Sequence, residues 1–428
     1  MLNTIYNNYL ASTGVNTDTR KTTKDNLFFA LKGPSFDGNQ YAGLALEKGA
    51  SFAIVDDQSV AVSEQYIVVE DVLTCLQDLA NHHRNQLNIP IIAVTGSNGK
   101  TTTKELLHAV LRKKYKTFST QGNLNNHIGV PLTLLSIDKS VEIGVIELGA
   151  NHIGEIELLC KIAAPSHGLI TNIGLDHLEG YGSIEGVAQG SSELFYYLLH
   201  HEGTAFVNSN DALLMRMASR LSKVITYPKM GDFYHCDLSK NDFYLEVTTE
   251  KKELIHTRLT GAYNLDNIAT ALCIGKYFEV PSELANEAIA AYIPQNMRSQ
   301  VIEKGTNKII LDAYNANPSS MEVAIANLGN IKADKKIAIL GDMFELGDLS
   351  VQEHNRISYL AVNNHFHLVI LIGKAFGATL VKVANCLKFD SISEAKDWLI
   401  LQSFDDAVFL LKGSRGMALE QLVEHINP

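Results

Sequence analysis

The segment Ile91-Ile-Ala-Val-Thr-Gly-Ser-Asn-Gly-Lys-Thr-Thr-Thr-Lys-Glu105 constrains the fold more than any other stretch of this chain. Ile91, Ile92 and Val94 form the short apolar run of a strand covered on both faces. Gly96 and Gly99 let the backbone turn tightly with its N–H groups inward, and the helix that follows offers its N-terminus to an anion. Ser97, Asn98 and Thr102 complete the turn. Lys100 adds a mobile positive charge, and the Thr101 hydroxyl is suited to ligating Mg²⁺. Strand, glycine turn and helix in this order predict a phosphate cradle for a nucleoside triphosphate. It is a variant cradle: the general pattern has a glycine five positions before Gly99, and Val94 stands there.

At 428 residues the chain is too long for one ordinary domain, and three regions separate along it. Residues 1–84 hold short strands (Leu27-Phe-Phe-Ala-Leu, Phe52-Ala-Ile-Val, Tyr66-Ile-Val-Val) between polar turns. Arg84-Asn-Gln-Leu-Asn-Ile-Pro90 reads as the linker into the phosphate-loop strand. Residues 85–297 alternate strand and helix, with further strands expected at Val141-Glu-Ile-Gly-Val-Ile-Glu, Gly168-Leu-Ile-Thr-Asn-Ile and Thr204-Ala-Phe-Val-Asn. A second break falls near Pro294-Gln-Asn-Met-Arg-Ser-Gln300. Residues 298–428 resume the alternation at Lys308-Ile-Ile-Leu-Asp, Lys336-Ile-Ala-Ile-Leu, Leu368-Val-Ile-Leu-Ile and Ala407-Val-Phe-Leu-Leu. Such alternation predicts an α/β protein built on parallel sheets.

Composition narrows the setting. Hydrophobic residues at 46% and charged residues at 19% fit a soluble globular protein, and no apolar run is long enough to span a membrane. The opening Met1-Leu-Asn-Thr-Ile-Tyr lacks the basic-then-apolar layout of a signal peptide. Cys75, Cys160, Cys236, Cys273 and Cys386 are odd in number and scattered, which fits a reducing cytoplasm better than disulfides or a zinc site. A net charge of −11 argues against broad nucleic-acid binding, so a phosphate ligand must be held by local groups against the overall field. Nothing in the chain demands more than a monomer.

Other candidate groups gather at the ends of expected strands, where open α/β sheets bind their ligands. Glu147 closes one such run and is suited to holding Mg²⁺, although a solvated acid at a strand exit reads the same way. His177 follows another, with Asp176 beside it, and fits either a structural or a functional role. Gly122-Asn-Leu-Asn-Asn-His-Ile-Gly-Val-Pro131 is either a turn rich in local side-chain bonds or a set of amides that orients a polar substrate. In Asp312-Ala-Tyr-Asn-Ala-Asn-Pro318, a capping box at Ser319 and Glu322 explains the helix start but not Tyr314, Asn315 and Asn317, which become the functional candidates.

Taken together, Gly96-Ser-Asn-Gly-Lys-Thr-Thr, Glu147-Leu-Gly-Ala-Asn with Gly154-Glu-Ile, Asn172-Ile-Gly-x-x-His177 and Asn264-x-x-Asn267 resemble the Mur ligases, ATP-dependent amide-forming enzymes of peptidoglycan synthesis. Further runs are similar to the members that join D-alanyl-D-alanine to UDP-N-acetylmuramoyl-tripeptide. These are Asp18-Thr-Arg20, Phe28-Phe-Ala-Leu-Lys-Gly33, Phe36-Asp-Gly38, Tyr314-Asn-Ala-Asn-Pro318, Gly341-Asp-Met-Phe-Glu-Leu-Gly347 and Lys412-Gly-Ser-Arg-Gly416. The resemblance runs through the whole chain in the right order. It implies three domains: an N-terminal one for the UDP-sugar end of the substrate, a central P-loop ATPase-type one for ATP and Mg²⁺, and a Rossmann-like C-terminal one for the incoming dipeptide.

The resemblance also implies roles. Thr19, Arg20, Ser35, Phe36, Asp37 and Gly38 become candidates for the UDP-sugar. Lys100, with Mg²⁺ on Thr101 and Glu147, would neutralise the meeting of carboxylate and triphosphate, and His177 would help hold a second metal. Asn267 and Arg298 match adenine-binding positions, and Asp312 matches a ribose contact. Asn125, Asn126 and Asn317 would line the substrate channel, with Asn126 and His177 beside Lys100 in the catalytic set. Lys412, Ser414 and Arg415 would meet phosphate or peptide carboxylate.

Two positions depart from the family pattern. Many members carry a lysine, carbamylated to bridge two metals, where this chain has Ser191 in Val187-Ala-Gln-Gly-Ser-Ser-Glu193. A serine cannot be carbamylated, so the expectation is a weaker second metal and slower turnover. Tyr263 stands where the family usually shows histidine before Asn264. Three alternatives compete: another ligase of the superfamily, either the one that adds the third residue or folylpolyglutamate synthase, a phosphate-loop protein that lost its chemistry at Ser191, and a small-molecule kinase. Tyr314-Asn-Ala-Asn-Pro318 argues against the first, and intact Lys100, Thr101, Glu147 and His177 against the second. A kinase would not need a separate UDP-sugar domain.

Overall fold

The computed structural model describes residues 1–427. Its framework is three parallel sheets in chain order. The first has four strands, in the order Val15–Asn16, Leu27–Phe29, Phe52–Val55 and Tyr66–Val68, all parallel. The second has six parallel strands, in the order Val224–Tyr227, Thr204–Asn208, His167–Ile170, Ile91–Thr95, Ile143–Glu147 and Thr117–Ser119. The third also has six, in the order Gln300–Lys304, Asn307–Asp312, Ala407–Lys412, Lys335–Gly341, Leu368–Ile372 and Cys386–Phe389. Its edge strand Gln300–Lys304 is antiparallel, and the other five are parallel.

Burial explains why the apolar runs are strands. Every residue of Ile91–Thr95, Ile143–Glu147, Thr204–Asn208 and Ala407–Lys412 is buried, as helices covering both faces of a parallel sheet require. Each large sheet has an apolar cluster on either face. One joins Ile92, Leu106, Phe206 and Ile268, and another joins Ile309, Ile339, Phe409 and Leu422.

Two expectations change here. Arg84–Gln86, the start of the expected linker, is the last turn of the helix Val72–Gln86. That helix is a bridge: Arg84 donates to the carbonyls of Ala163 and Ala164 at the end of the helix Glu155–Ala163, and His83 Nε2 lies 2.8 Å from the Ile137 carbonyl oxygen. One apolar cluster therefore runs from Ile5 and Leu76 to Ile91, Ile146 and Leu194. Secondly, the strands Cys236–Asn241, Leu245–Thr249 and Leu254–His256 form an antiparallel sheet inside the central region, which the expected strand–helix alternation did not include.

Candidate active site

The strand Ile91–Thr95 lies between Ile143–Glu147 and His167–Ile170, where the chain changes the direction in which it lays down strands. Ligands of open α/β sheets bind at the carboxyl end of such a point. The phosphate loop is there. Gly96 and Gly99 have φ of 122° and 82°, and a Cβ at Gly99 would come within 2.6 Å of Asn267 Oδ1. The loop is pinned from behind by the segment after the next strand. Ser97 N–H donates to the Asn172 carbonyl and Asn98 N–H to Asn172 Oδ1, both at 3.0 Å, while Thr171 Oγ1 donates to the Asn98 carbonyl at 2.7 Å. The amides of Ser97 and Asn98 are thus already used. Anion binding falls to the N-terminus of the helix Lys100–Leu111, which has no side-chain cap and no acid in its first turn.

Lys100 folds back over its own loop, donating to the Gly96 carbonyl and, at 3.1 Å, to the Ser97 carbonyl. Its ammonium also lies 3.9 Å from Asp176 Oδ2. Thr101 and Thr102 are buried beside it. Glu147 ends its strand fully buried; Oε1 accepts from Asn125 Nδ2 at 2.8 Å, and Oε2 has no hydrogen-bond partner. The nearest cation is Lys104, 3.9 Å from Oε2 and held by the Thr120 carbonyl at 2.8 Å. Asn126 is occupied differently: its Oδ1 accepts from the N–H groups of Ile128 and Gly129 and caps a short helix. His177 sits at φ 46°, with Nε2 3.5 Å from Asp176 Oδ1 and Nδ1 2.5 Å from Glu345 Oε2. The Glu345 contact is close but not aligned as a hydrogen bond.

The C-terminal sheet brings its own carboxyl ends to the same place. Asp312 and Lys412 are partners in register on adjacent strands. Lys412, almost wholly buried, donates to Asp312 Oδ2 at 2.8 Å and to the Asn315 carbonyl at 3.1 Å, and Asp312 Oδ1 accepts from Ser299 N–H at 3.1 Å. The Arg298 guanidinium lies 3.9 Å over the Tyr314 ring, with Nε buried and unpartnered. Ser414 Oγ accepts from Phe344 N–H at 2.8 Å, and Arg415 is held by Glu420 at 2.7 Å. Asn317 donates to Asn98 Oδ1 at 3.1 Å and Asp176 Oδ1 at 3.2 Å, joining the two sheets across the gap.

The expected capping box is displaced. Asn317 caps the helix Pro318–Asn330, with Ser320 as its reciprocal partner. Ser319 instead accepts from Leu175 N–H, and Glu322 pairs with Arg356 at 3.0 Å. Asn317 therefore both caps and bridges.

These residues line one cavity of about 700 Å³, which takes in Ser97, Lys100, Asn125, Asn126, Glu147, His177, Asn267, Arg298, Asp312, Tyr314, Asn317, Lys412 and Arg415. The N-terminal candidates do not line it. Arg20 is exposed and pairs with Asp18 at 2.8 Å in the turn that carries Thr19, and Ser35 to Gly38 sit on and beside a small hairpin whose Phe36 is exposed. Nor does Ser191, buried on the helix Ile184–His200; Glu193 two residues on spends both oxygens on the N–H groups of Gly154 and Glu157. Tyr263 is a residue whose weight sequence reading missed. It lines the cavity, and its hydroxyl meets Ser299 Oγ at 2.7 Å. Burial and the nearby Asp312 raise the pKa of its phenol and keep it protonated.

Three family models match the chain in order: "Mur ligase family, catalytic domain" over residues 12–84, "Mur ligase middle domain" over 94–275, and "Mur ligase, glutamate ligase domain" over 297–415. The chain belongs to the Mur ligase family. More particularly, it is 36% identical to the UDP-N-acetylmuramoyl-tripeptide–D-alanyl-D-alanine ligase of Bacillus subtilis, over 96% of this chain and 93% of that protein. Its structure is similar to that of MurF from Acinetobacter baumannii, at 30% identity and a TM-score of 0.86 over 96% of this chain and 92% of that one. The MurF ligase of Thermotoga maritima in complex with ADP also superposes, at 27% identity and a TM-score of 0.85 over 97% of both chains.

Proposed function

We propose that this chain is an ATP-dependent ligase that joins D-alanyl-D-alanine to UDP-N-acetylmuramoyl-tripeptide and releases ADP and phosphate. One observation supports this above the rest: the phosphate loop and the unsatisfied Glu147 carboxylate face the cationic C-terminal loops across a single cavity. A kinase needs only the first of these surfaces. In this reading residues 1–84 hold the UDP-sugar end through Thr19, Arg20 and Ser35 to Gly38, residues 85–297 hold ATP, and residues 298–428 hold the dipeptide. The chain works in the cytoplasm, as a monomer; no helix among the described residues is long and apolar enough to cross a membrane.

The chemistry takes two steps. The terminal carboxylate of the tripeptide attacks the γ-phosphate, ADP leaves, and an acyl phosphate forms. The dipeptide amine then attacks the acyl carbon, the amide forms, and phosphate leaves. Carboxylate and triphosphate repel each other, so cations must stand between them. Lys100 turns from its own loop carbonyls to the phosphates for this purpose. Mg²⁺ would fit beside it, since Glu147 borders the cavity, its buried Oε2 lacks a hydrogen-bond partner, and Thr101 is on the helix that follows the loop. When bound, the ion supplies positive charge where carboxylate and phosphate meet. Asn125 orients Glu147, Asp176 and Glu345 flank His177, and Asn126 borders the acceptor. Asn267, Arg298, Tyr314 and Asp312 form the nucleoside side, and Asn315, Ser414 and Arg415 form the dipeptide side.

The test is phosphate release from ATP and Mg²⁺ with UDP-N-acetylmuramoyl-tripeptide, with and without D-alanyl-D-alanine. Release that needs both, with a UDP-pentapeptide product, is expected. Release with the tripeptide alone, or transfer of phosphate to a small acceptor, would overturn the reading.

A further inference from the structure

The only covalent path from the central sheet to the C-terminal sheet runs between the helix Ser282–Ala291 and the strand Gln300–Lys304. Within it Met297 and Ser299 hold φ of 55° and 53°, left-handed values that side chains with a Cβ adopt only when surroundings impose them. Arg298, between them, borders the cavity. The strained turn is fixed on both sides. After it, Ser299 is tied to Asp312 and Tyr263. Before it, the Tyr292 hydroxyl and the Asn296 amide both donate to one carboxylate, that of Glu105.

Glu105 lies on the phosphate-loop helix, one turn beyond Thr101, and is not among the residues that line the cavity. Burial and the Glu105 charge raise the Tyr292 pKa, so the phenol stays a donor to it. Hydrogen bonds to a charged acceptor are the stronger kind. The first turn of this helix is therefore the anion site, and its second turn grips the interdomain segment. The helix thus carries two separate tasks on successive turns, the anion site on the first and the hold on the interdomain segment on the second.

We propose that Glu105 is a positioning residue for the ligase reaction. Holding Tyr292 and Asn296, it sets how the C-terminal loops, with Arg298, Asp312 and Arg415, stand over the phosphate loop. This rests on the ligase reading above.

The test uses full-length Glu105→Gln, Tyr292→Phe, Asn296→Ala and the double variant Glu105→Gln/Tyr292→Phe. Losing a charged hydrogen bond predicts a rise of about tenfold in KM for D-alanyl-D-alanine, with the Kd for ADP within about twofold of wild type. Hydrogen exchange of the amides at 292–300 should quicken in every variant, and the double variant should lose no more than the worse single one. A Kd for ADP that rises in step with KM, or steady-state constants and exchange rates equal to wild type, would overturn the proposal. If wild type released no phosphate with both substrates, the ligase reading would fail on its own account. The latch would then be decided by exchange: faster in the variants supports it, unchanged refutes it.

Discussion

The central sheet ends one strand on Glu147, and the C-terminal sheet ends one on Lys412. Both charges are buried, both border the same cavity, and they are held in opposite ways. Lys412 is neutralised within its own sheet by Asp312 at 2.8 Å and by the Asn315 carbonyl. Glu147 has Asn125 on one oxygen and nothing on the other, with Lys104 kept at 3.9 Å by the Thr120 carbonyl. A buried carboxylate oxygen without a partner is costly, and it persists where a ligand repays it. The difference assigns the two sheets different work. In the proposed reading the central one would hold charge in reserve for a cation and its phosphates, whereas the C-terminal one uses charge to fix its own loops.

The largest effect should come from the reserved side. If Lys100 meets the triphosphate as proposed, Lys100→Ala should lower kcat by about 10²–10³, the cost of one preorganised charge-stabilising donor. Stability should change little, because the hydrogen bonds of Lys100 go to carbonyls of its own loop and its one charged neighbour, Asp176, stands 3.9 Å away. A large fall in Tm with modest loss of kcat would erase the contrast between the sheets. Lys412→Met should behave the other way. Removing Lys412, the buried member of the pair, leaves the partly exposed Asp312 without its cation, at a cost of about 2 kcal/mol in a urea-unfolding experiment. If Lys412→Met unfolds like wild type, Lys412 is not structural, and its charge is reserved for substrate as in the central sheet.

The same division explains what could be read from the residues in advance. The phosphate loop was legible because its chemistry is local: two glycines, a lysine and a threonine between positions 96 and 101 dictate backbone and charge together. Glu147 was legible as a strand end, but its orphaned oxygen was not, since that depends on Asn125 and Lys104 arriving from separate elements. The cap at Asn317 was misread as Ser319 because both types cap helices; Pro318, favoured at the first helical position, pointed to Asn317. The Glu105 latch spans 187 residues to Tyr292, and no local pattern announces it. Tyr263 looked like a mild exchange for histidine until its hydroxyl was seen to reach Ser299 in the interdomain turn.

The amino end of the central sheet extends the comparison to pH. His167 opens its strand there, packed against Phe206, Tyr277 and Phe278, away from the cavity. Burial, with Lys223 nearby, lowers its pKa from 6.5 to about 4. The folded state thus prefers neutral His167. Its contribution is complete above pH 6.5 and is lost as pH falls towards 4, because the unfolded chain takes up the proton first. His167→Phe should flatten that part of the stability-against-pH curve by about 3 kcal/mol and leave kcat unchanged. An equally steep curve in the variant would assign the acid sensitivity to other buried histidines, such as His83 and His354, whose pKa values burial also lowers.

The smallest expected effect concerns Ser191. The family pattern has a carbamylated lysine there, and Glu193 beside it is committed to the backbone of Gly154 and Glu157. Serine offers a weak neutral oxygen from a buried position that does not border the cavity. No group of three or more His, Cys, Asp or Glu side chains able to hold a metal occurs among the described residues. Ser191→Lys in bicarbonate buffer should raise kcat and the affinity for Mg²⁺ on the order of tenfold, the scale on which ligand-shell changes act. If kcat barely rises, the central sheet already works at full rate with the single cation that Glu147 is poised to hold, and the charge reserved there is all that the reaction needs.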